Sequence, residues 1–327
     1  QNHMDANING MAHGVHAFCD AELQARVMVA EDSASLQNWI QHENVEQAYT
    51  GGGYQKPPSK SVSNISWVGR PEGIDGNKDL THEDFFNAFG NPRQKDMEAV
   101  AGQRSSIMEA IDGIDLSQFE QKVRWMASMP GRVDSLRLLR GESNFSRRRV
   151  RSKAPIEAVC LGIPMTASAC VKAEVIMARA AVAICAADIL QDYGFAVEIW
   201  AFAYSDNCYY YGKTHKNALA AVRLKTAEEP FNEAQVTSGA SSWFYRTGLF
   251  SMWTAMGIGD TDSGLGYARA LDESQRAAVA RCLGLGKAHI MRGLETGGYS
   301  ISQAIKDGID DVCKAIDHWV GDEGGDF

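Results

Sequence analysis

The sequence predicts an α/β fold: a doubly wound, mostly parallel sheet preceded by a mixed, helix-rich N-terminal region. Three observations predict it. Ile156–Pro164 is an apolar, β-branched run closed by a proline, as a strand buried on both faces would be. Lys172–Asp192 carries apolar side chains on almost every face (Val175, Ile176, Ala180, Ile184, Leu190), so a sheet must cover it, and Gly194 offers a C′ stop. Phe195–Tyr204 is a second apolar strand. Two parallel strands need a crossover of this length, and that crossover is right-handed in nearly all cases.

The first 30 residues read as a mixed polar stretch followed by a short helical pattern through Phe18, Leu23, Val27 and Met28. Ser35–Ile40 continues as helix and ends at Gly51–Gly53 and Pro57–Pro58. Val62–Val68 alternates like a strand, and Thr81 N-caps a helix bearing Phe85, Phe86 and Phe89. Lys95–Ile111 and Leu116–Met129 read as helices, with Pro130 and Gly131 ending the second, and Arg132–Arg140 holds a short strand. After Ser205, Cys208–Tyr211 and the residues up to Lys225 form a ribbon with Leu219–Leu224 as a third strand. Thr237–Ser242 is a small-residue loop, Trp243–Met256 an apolar helix and Gly257–Gly266 a glycine- and aspartate-rich loop. Glu273–Leu283 is a helix, Lys287–Met291 a strand and Ser300–Val320 an amphipathic helix. The organisation expected is a tag remnant at 1–4 with Met4 as the native start, a mixed region at 5–153, the α/β core at 154–320 and an acidic tail at 321–327.

Composition limits the function. A chain of 327 residues, 45% hydrophobic and 22% charged, can bury a sizeable core, and a net charge of −9 argues against coating nucleic acid through bulk charge. A local basic face remains open to it. Seven scattered cysteines without a C-x-x-C pair read as reduced thiols, and neither a membrane span nor a signal peptide is visible. No nucleophile elbow, Ser-His-Asp order or P-loop can be placed, and His82, His289 and His318 lack partners at ligand spacing, so neither an enzyme nor a cofactor is expected.

One basic cluster stands out: Arg147, Arg148, Arg149, Arg151 and Lys153, five cations in eight residues. It fits nucleic-acid contact and, equally, a solvated connector ahead of a buried strand. Tyr209, Tyr210 and Tyr211 fit a stacking platform or a ribbon packed on its own sheet.

The order strand, hydroxyl-bearing loop, long helix, strand, ribbon, Gly-Ser loop and helix resembles a von Willebrand factor A-like domain. Ala178–Asp206, with Gly131–Glu142, is similar to an uncharacterised domain family of tailed phages. In metal-binding A-domains an Asp-x-Ser-x-Ser loop, a later threonine and a later aspartate hold a divalent cation. Here Pro164 stands at the first carboxylate position, Thr166 and Ser168 keep theirs, Ser241 offers a hydroxyl in the later loop and Arg292 occupies the later aspartate position. Hard cations need anionic oxygen ligands, so the resemblance implies a site that has lost its metal, with Asp206 the surviving carboxylate. Hydroxyls (Thr166, Ser168, Ser241, Ser242) and a guanidinium at the carboxyl ends of parallel strands suit an anion instead, although Arg292 also reads as the partner of Asp206 or Glu295.

These readings lead to a non-enzymatic protein that binds single-stranded DNA through the basic run, the tyrosines and Arg292. It is similar in design to the single-stranded-DNA-binding transcription cofactors of Enquatrovirus-like podoviruses, which bring the phage RNA polymerase to middle promoters. The resemblance implies action in the cytoplasm of an infected bacterial host, with the acidic tail Asp322–Phe327 engaging the polymerase. The competing class is a protein-interaction scaffold with a metal-free A-domain and no nucleic acid.

Overall fold

The computed structural model describes residues 13–43, 91–112, 122–126, 132–133, 146–150, 158–167, 171–193, 195–205, 209–210, 213–214, 217–241, 244–249, 252–253, 256, 271–294 and 299–322. In chain order the elements are β1 (Val15–Asp20), β2 (Ala25–Ala30), α1 (Ser33–Glu43), α2 (Gln94–Asp112), β3 (Lys122–Met126), β4 (Arg132–Val133), β5 (Ser146–Val150), β6 (Val159–Pro164) and α3 (Ala173–Tyr193). They continue with β7 (Val197–Ser205), β8 (Tyr209–Tyr210), β9 (Lys213–Thr214), β10 (Asn217–Lys225), α4 (Glu233–Gly239), a π-helical turn (Tyr245–Leu249), α5 (Glu273–Cys282), β11 (Lys287–Ile290) and α6 (Ile301–Asp322).

Six strands form the main sheet in the order β1-β2-β10-β7-β6-β11. The β2/β10, β7/β6 and β6/β11 neighbours are parallel, and β1/β2 and β10/β7 are antiparallel. The strand–helix–strand unit expected over 156–205 is present as β6, α3 and β7.

Alternation along β7 explains how the two faces are filled. Val197, Ile199, Ala201 and Ala203 face the cluster containing α3, while Trp200, Phe202 and Tyr204 face the one covered by α5. Small side chains on the first face let the alanine-rich α3 lie close to the sheet, and bulky rings fill the space on the second. Gly162 on β6 belongs to this second arrangement. A Cβ there would lie 3.0 Å from Ile290 Cγ1 and 3.2 Å from Phe202 Cε1, so only glycine lets the ring and the isoleucine meet across the strand. On the α3 side, Gly308 of α6 plays the same part, where an added Cβ would stand 3.1 Å from Val182.

The N-terminal segment corrects the sequence reading. Residues 15–30 are a β-hairpin, not a helix. Asp20 Oδ1 accepts from Leu23 N at 2.7 Å and Gln24 takes a positive φ of 49°, which turns the chain. β2 lies between β1 and β10 in the sheet, and a core cluster covers each of its faces: Ala25 and Val27 on one side, Met28 and Ala30 on the other. Such a strand has no clean period of two, and its apolar spacing imitates a helix. The main sheet therefore takes strands from both sides of residue 153, and α1 and α2 supply Leu36, Trp39, Val100 and Ile107 to the same core.

Two more expectations change. Leu116–Met129 is not a helix where it is described: Lys122–Met126 is strand β3, paired antiparallel with β5. Thr237–Ser242 is not all loop, since α4 is capped by Asn232 and takes in Thr237, Ser238 and Gly239. The apolar helix expected at 243–256 contains the π-helical turn. The calls at Val62–Val68, Thr81–Phe89, Gly194, Gly257–Gly266 and the last five residues lie outside the described residues.

Candidate nucleic-acid interface

The described part of the basic run is a strand. Arg147, Arg148 and Arg149 occupy the middle of β5, which is itself the central strand of a three-stranded antiparallel sheet ordered β3-β5-β4. Side chains alternate between the faces of a strand, so Arg147 and Arg149 belong to one face and Arg148 to the other. The connector reading of residues 146–150 is thereby replaced; Arg151 and Lys153 lie outside the described residues.

Register shows which position lies opposite each arginine. Arg147 is opposite Trp125 on β3 and opposite Arg132 on β4, forming one row of three across the sheet. Arg149 is opposite Val123 on that same face. On the other face Arg148 is opposite Arg124, Val150 opposite Lys122, and Ser146 opposite both Met126 and Val133. Six of the twelve strand residues are cations and none is an acid. Directly opposed residues have Cβ atoms about 5 Å apart, and like charges so placed destabilise a sheet. Arg147/Arg132 and Arg124/Arg148 are two such pairs.

Sequence reasoning missed Lys122, Arg124 and Trp125 because it read residues 116–129 as a helix, and it missed Arg132 because the short strand there was not paired with the basic run. Their signal was present: Lys-Val-Arg-Trp-Met alternates cation with β-favouring Val and Trp.

Two of the three tyrosines are described, on a ribbon of two short strands. Tyr209 pairs with Thr214 and Tyr210 with Lys213 in the two-stranded β8-β9 ribbon. Consecutive strand positions fall on opposite faces, so positions 209 and 210 do not share one. Tyr211 lies outside the described residues.

At the carboxyl ends of β6, β7 and β11 stands the rim expected to receive an anion. Pro164 ends β6, and Ala167 bridges to Leu294, so the two strand-end segments run side by side. The hydroxyls there are committed inward. Thr166 Oγ1 donates to Tyr204 O at 3.1 Å and accepts from Tyr204 N at 3.0 Å, and it also meets the phenol of Tyr245. Burial pushes the Tyr245 hydroxyl well above its ordinary range, and Thr166 opposes that only in part. Ser241 Oγ donates to Ser238 O at 2.7 Å and accepts from Phe244 N at 3.2 Å, capping the turn that follows. Neither is the free hydroxyl that an anion would need; Ser168, Asp206 and Ser242 lie outside the described residues.

Arg292 follows β11, and its partner is Asp311 of α6, with Nε donating to Oδ1 at 2.9 Å and the main-chain N–H donating to Oδ2 at 2.9 Å. Asp311 also receives Arg179 of α3, whose guanidinium donates to Arg292 O at 2.8 Å. Arg179 and Asp311 are each 2% exposed, whereas the Arg292 side chain is 46% exposed. Burial alone would raise the Asp311 carboxyl; the two guanidiniums and the Arg292 N–H hold it below the usual carboxylate range. One carboxylate thus faces two cations, and it holds the Arg292 guanidinium in place.

Among the described residues no group of three or more His, Cys, Asp or Glu side chains could hold a metal, and Cys19, Cys160, Cys185, Cys282 and Cys313 are free thiols. No helix among them is long and apolar enough to cross a membrane.

A family model described as "Domain of unknown function (DUF7192)" matches residues 34–283, about three quarters of the chain. The chain belongs to the DUF7192 family. That match contains α1 through α5, the cationic sheet and the Thr166 loop, while β1, β2, β11 and α6 fall outside it. Neither the curated proteins nor the solved structures gave a match.

Proposed function

We propose that this DUF7192 protein binds single-stranded nucleic acid through the β3-β5-β4 sheet. The observation that carries the reading is the pair of directly opposed arginine pairs, Arg147/Arg132 and Arg124/Arg148, in strands that contain no acid. An isolated sheet gains nothing from that arrangement, because like charges repel across the strands. A polyanion laid along it converts the repulsion into phosphate contacts and releases counterions. The net charge of −9 on the whole chain confines such contact to this local patch.

The reading extends to the surrounding architecture. An A-domain-like core is supported by the β6-α3-β7 unit, the β8-β9 ribbon and the edgeward order β6-β7-β10. The role of a phage transcription or replication cofactor that brings RNA polymerase to DNA in the host cytoplasm rests on the resemblance of Gly131–Glu142 and Ala178–Asp206.

Fluorescence anisotropy with labelled single-stranded and duplex 20-mers across a salt series tests the binding. The expected result is tighter binding to the single strand, with log Kobs falling against log salt by roughly 0.7 for each phosphate neutralised. Absence of binding to either at low salt would leave the scaffold class in its place.

A further inference from the structure

We infer that Trp125 is the base-stacking residue of this interface and that the face carrying Trp125, Arg147, Arg132 and Arg149 is the one a single strand occupies. The inference rests on the nucleic-acid reading above and adds to it a face, an aromatic and a mode of contact.

The register makes the choice between faces. Both hold three cations: Arg147, Arg149 and Arg132 on one, Arg148, Arg124 and Lys122 on the other. Charge alone cannot tell them apart. The first also holds Trp125, the one aromatic among the three strands, while the second is completed by Met126, Ser146, Val133 and Val150. Single-strand binding without sequence preference combines a cationic track with a ring on which a base can stack, because every base presents a π-face whatever its identity.

Placement within the row fits that combination. Trp125 and Arg132 flank Arg147 on the two outer strands, so the row spans two strand spacings, roughly 10 Å. Arg149 lies two residues further along β5, about 7 Å away on the same face. An unpaired base on the Trp125 ring therefore leaves its neighbouring phosphates within the territory of Arg147, Arg132 and Arg149. A duplex, whose bases are already stacked on one another, has no free face to offer the ring. The preferred ligand is accordingly an unpaired strand, read through its base faces and phosphates, without readout of base edges.

The test uses the full chain and two fluorescein-labelled oligonucleotides of equal charge: (dT)20 and a 20-mer of abasic spacers with the same phosphates. Wild-type protein should bind (dT)20 roughly 5- to 150-fold more tightly than the abasic strand, the range expected for one stacked base. In Trp125→Ala that preference should collapse towards onefold while the salt slope stays unchanged, and Trp125→Phe should restore most of it. Arg132→Gln should reduce the salt slope by roughly 0.7, and Arg148→Gln should leave the slope as it was. Trp125→Leu, an apolar residue suited to the same strand, reports the same collapse if the alanine variant does not fold. A wild-type protein that binds (dT)20 but shows equal affinity for the abasic strand overturns the inference. So does an Arg148→Gln variant that loses as much slope as Arg132→Gln. Failure of the wild type to bind either oligonucleotide at low salt strikes the underlying nucleic-acid reading instead, so the two failures are distinguishable.

Discussion

Asp311 on α6 holds the guanidinium of Arg179 on α3, both side chains about 3% exposed, and with the same carboxylate it fastens the backbone of Arg292 behind β11. Three elements therefore meet on one charge. Breaking a buried pair leaves an uncompensated ion inside the protein, which costs about 3–5 kcal/mol. Asp311→Asn is expected to lower unfolding stability by that amount in urea titrations, because Arg179 keeps its charge and loses its counter-ion. Arg292→Gln, at a half-exposed side chain whose N–H still reaches Asp311, should cost under about 1 kcal/mol. Equal losses from the two variants would show that the buried pair is not the anchor.

His289 on β11 faces the same cluster, with Asp311, Arg179, Arg276 and His318 around it. Burial pushes its imidazole down to about 4, the nearby arginines acting in the same direction against Asp311. A base whose pKa is lower folded than unfolded binds fewer protons in the native state, so stability is complete above about 6.5 and is lost as pH falls towards about 4. The urea midpoint should therefore decline across that window, and His289→Phe should flatten the decline. Asp311, held below its ordinary range, contributes to acid unfolding only at lower pH. A midpoint that is constant between pH 6.5 and 4.5 would remove this account.

Thr166 separates a structural role from a binding one. Its hydroxyl serves both Tyr204 N and Tyr204 O, so Thr166→Val leaves buried polar groups unmet and should cost about 1–3 kcal/mol. Affinity for single-stranded oligonucleotide should not change. If binding fell while stability held, the rim, and not the cationic sheet, would be the anion site.

The part of the fold legible in the sequence was the part where burial leaves a long run or a clean stripe of apolar residues. β6, α3 and β7 are apolar at most positions, and α6 shows an apolar stripe, so their type and place could be read directly. The β1-β2 hairpin was hidden because β2, covered on both faces, loses the alternation that marks a strand. At the candidate interface, the arginines of β5 were visible as a run, but their arrangement was not. Only the pairing with β3 and β4, set by residues 13 or more positions away, reveals that Arg147 sits between Trp125 and Arg132 and that Arg148 belongs to the other face. The A-domain resemblance could not foresee Asp311 as the partner of Arg292, because Asp311 comes from a helix that the motif does not include.

Replacing Arg147, Arg148 and Arg149 together by alanine removes cations from both faces. The salt slope should fall by roughly 2 if all three touch phosphates, and by roughly 1.4 if only the Arg147/Arg149 face does. Affinity should weaken similarly for sequences of different base composition, since phosphate contacts carry no base identity. A loss confined to one sequence would mean that these arginines read bases.

Arg132→Glu puts the electrostatic argument in its sharpest form, because it moves stability and binding in opposite directions. Opposite charges directly across strands contribute about 0.2–1 kcal/mol and like charges subtract a similar amount, so turning the Arg132/Arg147 pair into Glu/Arg should strengthen the free sheet. Amide hydrogen exchange along β5 should slow accordingly in the absence of ligand. The same change puts an anion in the row where a phosphate must come, and single-strand affinity should drop further than in Arg132→Gln. A variant with a firmer sheet and weaker binding is what repulsion relieved by a polyanion requires. Faster exchange together with unchanged affinity would mean that the arginines face each other for some other reason, and the proposal for this sheet would lose its foundation.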